Sequence, residues 1–212
     1  MPTYLSDLRN QIRKDLHDED SGNYRWTDNV LNRHIERALA EFSAACPRTA
    51  TTTINASAGV REYDLSAISD LNNRPAAVLA VEWPYVAAAP AYPPCFTPFR
   101  VFANWLYLLA QTAPAAGDVM RVWYSLPHVL SESVKTLAPD DEPLLALGAA
   151  AYAALARESY ASERITVSSR TAEEYRAWGE RALPRFLAHL ADRSRQAALA
   201  LDGRLAWQGE TR

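Results

Sequence analysis

Residues 8–47 read LRNQIRKDLHDEDSGNYRWTDNVLNRHIERALAEFSAACP. This stretch spells two amphipathic helices and an acidic loop between them. Leu5, Leu8, Ile12 and Leu16 recur at spacings of three and four, so they stack on one helical face. The run HDEDSGN after Leu16 has loop chemistry and ends that helix. The second helix has a clear start. Thr27 is a good N-cap, Asp28 suits the positive end of the helix dipole, and Trp26 can staple against Leu31. Its stripe runs through Val30, Leu31, Ile35, Ala38, Leu39 and Phe42, and Pro47 closes it.

Beyond Pro47 the period changes. Helical spacing disappears, and prolines gather at 84, 90, 93, 94 and 98. Short runs rich in β-branched and aromatic residues predict strands over 49–55, 61–65, 77–83, 100–102, 105–109 and 119–125. Ala103-Asn104 reads as a hairpin turn because Asn tolerates positive φ, and Gly117-Asp118 marks another turn. These runs predict a small antiparallel β unit.

Helix returns with Asp140 as the expected cap and Pro143 in the first turn. The stretch from Leu144 to Ala156 is apolar on all sides. Such a helix must be covered all round, by its own fold or by neighbouring subunits. The last helix is expected to open on the capping box Thr171-Ala172-Glu173-Glu174. It carries Tyr175, Trp178, Ala182, Phe186 and Leu190 inward, kinks at Pro184, and runs to about Leu201.

The layout is therefore α+β: a helical domain of about four helices, with an antiparallel β insertion between the second and third long helices. Residues 1–47 and 139–201 are expected to form the helical domain, 48–138 the β-rich lobe, and 202–212 a C-terminal tail.

Composition narrows the function. The chain has 212 residues, 49% of them hydrophobic, and a formal net charge of −3, so a buried core is expected and a general polyanion-binding surface is not. Two cysteines exclude a disulfide scaffold and a four-cysteine zinc site. The first residues lack the basic and apolar regions of a secretory signal, and no run of eighteen apolar residues is present, so the expectation is an intracellular protein.

The catalytic matches are poor. His34-Ile35-Glu36 with Pro94-Cys95 echoes the zinc deaminases, but the position three after Cys95 is Pro98, which cannot bind metal. The loop 15–28 looks like a calcium loop, yet placing Gly22 sixth puts His17 first and Asp28 last. It reads as a solvated acidic loop. Arginines concentrate toward the C-terminus, but acids interleave with them, as on a solvated helix face. No catalytic set, cofactor site or metal site is expected.

The order of parts is more informative. The phrase at 8–47, above all Asp15, Tyr24, Trp26, Thr27, Asp28, Leu31, Ile35, Ala38 and Phe42, resembles the head–tail adaptor (connector) proteins of tailed bacteriophages and gene transfer agents. So do REYDL at 61–65, VEWP at 81–84, GDVMRVWYSLPHVL at 117–130 and EEYRAWGE at 173–180. The resemblance implies a non-enzymatic virion protein at the head–tail junction, assembled in the host cytoplasm. It implies a homo-oligomeric ring, a dodecamer in the family, bound beneath the portal protein. Such a ring extends the channel for genomic DNA, without sequence-specific binding, and offers a surface to the next neck or tail protein. The alternatives are another neck or tail-completion protein of the same particle, and a non-viral helical binding module.

The C-terminal segment is the expected partner interface. A helix from Thr171 to Arg193 spans roughly 35 Å at about 1.5 Å per residue. Beyond it, Arg193, Arg195, Leu199, Leu201, Arg204, Leu205 and Trp207 form an arm whose apolar members call for burial by a partner.

Overall fold

A computed structural model describes the backbone of residues 4–70, 78–161 and 169–205, and side chains over 4–70, 78–156 and 173–198. The chain divides into two compact units. One comprises Met1–Pro47 and Pro127–Ala200, and the other centres on Arg48–Leu126.

The first unit is helical. Helix α1 is Leu5–Asp15, and its start is fixed by the Asp7 carboxylate accepting from the Tyr4 N–H at 3.0 Å. Helix α2 is Asp28–Ala45, with Thr27 as N-cap accepting from the Val30 N–H at 3.4 Å. A 3₁₀ turn, Pro139–Asp141, leads straight into α3, Glu142–Ala161. Asp140 thus lies inside that turn and is not the expected cap of α3. Helix α4 is Ser169–Leu205. It begins two residues before Thr171, so Thr171 is already helical and the expected capping box does not open the helix. The helix also continues through Pro184 and past Asp202-Gly203.

Helix α3 is the axis of this unit. Leu145, Ala146, Ala149, Ala150, Ala153 and Ala154 are fully buried against Leu8, Ile12 and Leu16 near α1, Leu31, Ile35 and Phe42 of α2, and Phe186 and Leu190 of α4. The chain's own helices cover its described residues, the first of the two options left open by its apolar pattern. Small side chains make this possible, because they let neighbouring helices come close. The seam between α3 and α4 goes furthest. A Cβ built on Gly148 would stand 2.6 Å from the Phe186 ring, and one on Gly179 would stand 2.8 Å from Leu155 Cγ. Each helix thus gives up a side chain where the other inserts one. Between α2 and α3, the Tyr152 hydroxyl meets the Glu41 carboxylate at 2.6 Å under the Arg37 guanidinium. Burial and the Glu41 hydrogen bond push that hydroxyl's pKa up to about 12.

Residues 127–138, grouped with the β lobe by composition, belong with the helices. The His128 N–H donates to Ser43 Oγ at 3.0 Å, its Nε2 lies 2.9 Å from the Cys46 carbonyl, and the Leu5 N–H donates to the Ser131 carbonyl.

Among its described residues the second unit holds two three-stranded antiparallel sheets. The strands are β1 (Arg48–Asn55), β2 (Glu62–Asp64), β3 (Val78–Glu82), β4 (Phe99–Phe102), β5 (Trp105–Leu108) and β6 (Val119–Leu126). One sheet has the order β1-β6-β3 and the other β2-β5-β4. Strand β6 alternates strictly, turning Met120, Val122, Tyr124 and Leu126 into a core shared with Tyr63, Leu65, Val81, Leu106 and Leu108. Ala103 and Asn104, both at positive φ (47° and 64°), make the β4–β5 hairpin turn.

Candidate functional site

The WTD motif is the place to start, since the sequence reading gave it only a capping role. Arg13, in the last turn of α1, is 3% exposed. Its guanidinium donates to Asp18 at 2.8 Å and to Asp28 at 2.7 Å, and lies 3.5 Å from the Tyr24 ring centroid. Asp18 is equally buried, and it also accepts from the backbone N–H groups of Arg25 at 2.7 Å and Trp26 at 3.2 Å. The hydrogen bond from Arg13 holds the Asp28 carboxyl below its ordinary value. Loop 16–27 is therefore folded around a buried cation, which corrects the reading of a merely solvated acidic loop. Glu19 and Asp20 alone keep that character. The Asp18 and Asp28 carboxylates are both held by one guanidinium.

Trp26 carries the loop into the helical core. It is 3% exposed, donates from Nε1 to the Ala153 carbonyl at 3.2 Å, and packs edge-to-face on Tyr175 at 5.1 Å. The Tyr175 hydroxyl donates to the Leu16 carbonyl at 3.0 Å and accepts from Arg25. One motif thus ties α1, α2, α3 and α4 together. Beside it lies a cleft of about 500 Å³, walled by Asp15, Arg25, Glu174, Tyr175, Trp178 and Arg181. Burial raises the Asp15 carboxyl above its ordinary value. Sequence reasoning took Tyr175 and Trp178 as core residues. Both are only half buried, and an aromatic stripe that ends beside Arg25 and Arg181 is the signal it missed.

The expected interface residues are not brought together. Arg193 pairs with Asp141 at 3.2 Å, at the edge of a second cleft of about 450 Å³ lined by Asp140, Leu144, Leu147 and His189. Arg195 pairs with Asp192 one turn away along the same helix. Leu199, Leu201, Arg204 and Leu205 continue α4, but their side chains lie outside the described residues, and Trp207 lies outside them altogether. Of the rejected zinc set, His34 is buried in α2, with Nε2 lacking a hydrogen-bond partner, while Cys95 is exposed. Burial, then the neighbouring Arg33 and Arg37, push the His34 imidazole down to about 4. Among the described residues, no group of three His, Cys, Asp or Glu side chains is gathered as a metal site.

These parts are buried ion pairs, interlocked helices and two open clefts. The SU10 adaptor protein family matches the sequence over residues 3–204, through both units. The chain belongs to the SU10 adaptor protein family. Within this adaptor, the Arg13 cluster and Trp26 join the α1–α2 loop to the helical core. No curated protein matches the chain. Among solved structures, one that matches is "Neck of empty GTA particle computed with C6 symmetry", at 17% identity over 70% of this chain and 76% of that one, with a TM-score of 0.29.

Proposed function

We infer that this adaptor is a structural, non-enzymatic virion protein of the head–tail junction, assembled in the host cytoplasm. Copies form a ring beneath the portal protein, probed first as a dodecamer, and the ring extends the DNA channel and receives the next neck or tail component. The single observation that carries this reading is the adaptor-family match running through both units from residue 3 to 204. Charge supports it: a chain with formal net charge −3, repeated around a channel, repels a passing polyanion and does not grip it. The C-terminal segment from Arg193, including Arg195, Leu199, Leu201, Arg204, Leu205 and Trp207, serves as the arm toward the portal.

The test is assembly in vitro. Purified portal rings mixed with the full chain should gain a second ring visible by electron microscopy, and a chain truncated after Arg195 should fold but fail to dock. A full chain that stays off the portal under conditions where the portal accepts other neck proteins refutes the reading. Normal docking by the truncated chain refutes the role of the arm alone.

A further inference from the structure

The cleft beside the α1–α2 loop has a definite chemistry. Tyr175 and Trp178 give it aromatic walls, and Arg25 and Arg181 stand against Asp15 and Glu174. Arg25 and Arg181 balance Asp15 and Glu174 in formal charge, and His17 completes the polar lining. Aromatic faces beside guanidinium groups suit an uncharged aromatic side chain, which can stack on both. At about 500 Å³, the cleft admits a pair of side chains and not a whole helix or strand.

The chain itself displays such a pair. Phe102 and Trp105 stand directly opposite each other across the β4–β5 hairpin, so they project from the same face at its tip. They are 75% and 41% exposed. The tight turn through Ala103 and Asn104 presents them on a short, rigid support. Rigid exposed aromatics cost little ordering entropy on binding and are favoured interface anchors.

Area decides what kind of contact this is. A fully exposed aromatic side chain can bury about 150–250 Å², and at 75% and 41% exposure this pair has less to bury, well short of the roughly 800 Å² per partner of a stable pairwise interface. The contact cannot hold an isolated dimer by itself. It suits a closed ring, in which every copy gives one knob and offers one cleft, and the contacts act together. Knob and cleft are different surfaces, so their pairing is heterologous, as a cyclic ring requires. We propose that the Phe102–Trp105 hairpin of one copy seats in the Arg25–Tyr175–Trp178–Arg181 cleft of the next copy. This rests on the ring-forming function given above and names one contact that closes the ring.

Disulfide trapping tests it in the full-length chain. In a background carrying Cys46→Ala and Cys95→Ser, Arg100→Cys places a thiol on the knob face and leaves both aromatics in place. Arg181→Cys places a thiol at the cleft. Mixing these two variants under mild oxidation should give a cross-linked pair much faster than mixing Arg100→Cys with Leu187→Cys, an exposed α4 position outside the cleft. Adding Phe102→Ser and Trp105→Ser to the knob variant should abolish the difference. Cross-linking no faster than the Leu187→Cys control, or unchanged by loss of the aromatics, overturns the proposal. Light scattering on the cysteine-free parent separates the two levels. Large oligomers without the cross-link leave the ring standing and remove this contact, whereas a monomeric parent that also stays off purified portal rings removes both.

Discussion

Replacing Gly148 with alanine should show whether the α3–α4 seam is as tight as its geometry. The new Cβ would lie 2.6, 2.7 and 2.8 Å from three carbons of the Phe186 ring, against about 3.5–4.0 Å for ordinary carbon contact. The ring has nowhere to go, since Phe186 is fully buried and Tyr152 packs edge-to-face on it at 6.4 Å. Either the helices part by about an ångström or the ring leaves its rotamer, at a cost of about 1–3 kcal/mol. Against this, alanine gains about 1 kcal/mol over glycine inside a helix. The single substitution should therefore be neutral to about 2 kcal/mol destabilising. The decisive quantity is the coupling. In a Phe186→Leu background the same Gly148→Ala change meets no ring and should stabilise by about 1 kcal/mol, giving an interaction term of about 1–3 kcal/mol between the two sites. Urea unfolding of the four proteins, followed by tryptophan fluorescence at constant m, measures it. If Gly148→Ala stabilises equally with and without the phenylalanine, the close approach is wrong.

Other outcomes follow from the same structure. Arg13→Met should cost about 3–5 kcal/mol in a thermal or urea melt, because it strands the buried Asp18 carboxylate, and adding Asp18→Asn should recover part of that loss. His34 keeps its imidazole neutral in the fold, with a pKa near 4 against an ordinary 6.5, so the unfolded chain binds more protons between those values. Stability should thus fall as pH drops through that window, by about 2 kcal/mol from pH 7 to pH 5, and His34→Gln should flatten the urea midpoint over that range. Glu82 is fully buried in β3 and paired with Arg121 at 2.8 Å, so Arg121→Met should destabilise the β unit by about 3–5 kcal/mol; monitoring that unit apart from α-helical circular dichroism checks it. Because Arg48–Leu126 carries its own buried cluster, we expect that fragment to unfold cooperatively by itself, and a non-cooperative melt would argue against treating it as a domain.

The sequence by itself determined the order and kind of the elements. The helices and strands lie where its periodicities of 3.6 and 2 placed them, with most ends shifted by only a residue or two, because spacing, prolines and turn residues act over a few positions. Thr27 as N-cap and the Ala103-Asn104 hairpin were legible for the same reason. Some departures are local, at Asp140, Thr171 and the loop around Asp18, and the others involve partners distant in sequence. Asp18 looked like one of several solvated acids, and only packing buries it against Arg13 and the Trp26 backbone. Only the fold sets the Phe186 ring over Gly148 and Leu155 over Gly179. The apolar surface of α3 called for cover, but only the tertiary fold decided that α1, α2 and α4 provide it. The β runs split into two sheets, and residues 127–138 join the helices through His128, Ser43 and Cys46, groups that sit more than eighty residues apart along the chain. Exposure was likewise undecided by pattern. Phe102 and Trp105 have the composition of core residues, and it is their place at a hairpin tip that turns them to solvent. Local chemistry selects the elements. Which faces are covered depends on which distant surfaces meet, and that is settled only when the chain packs.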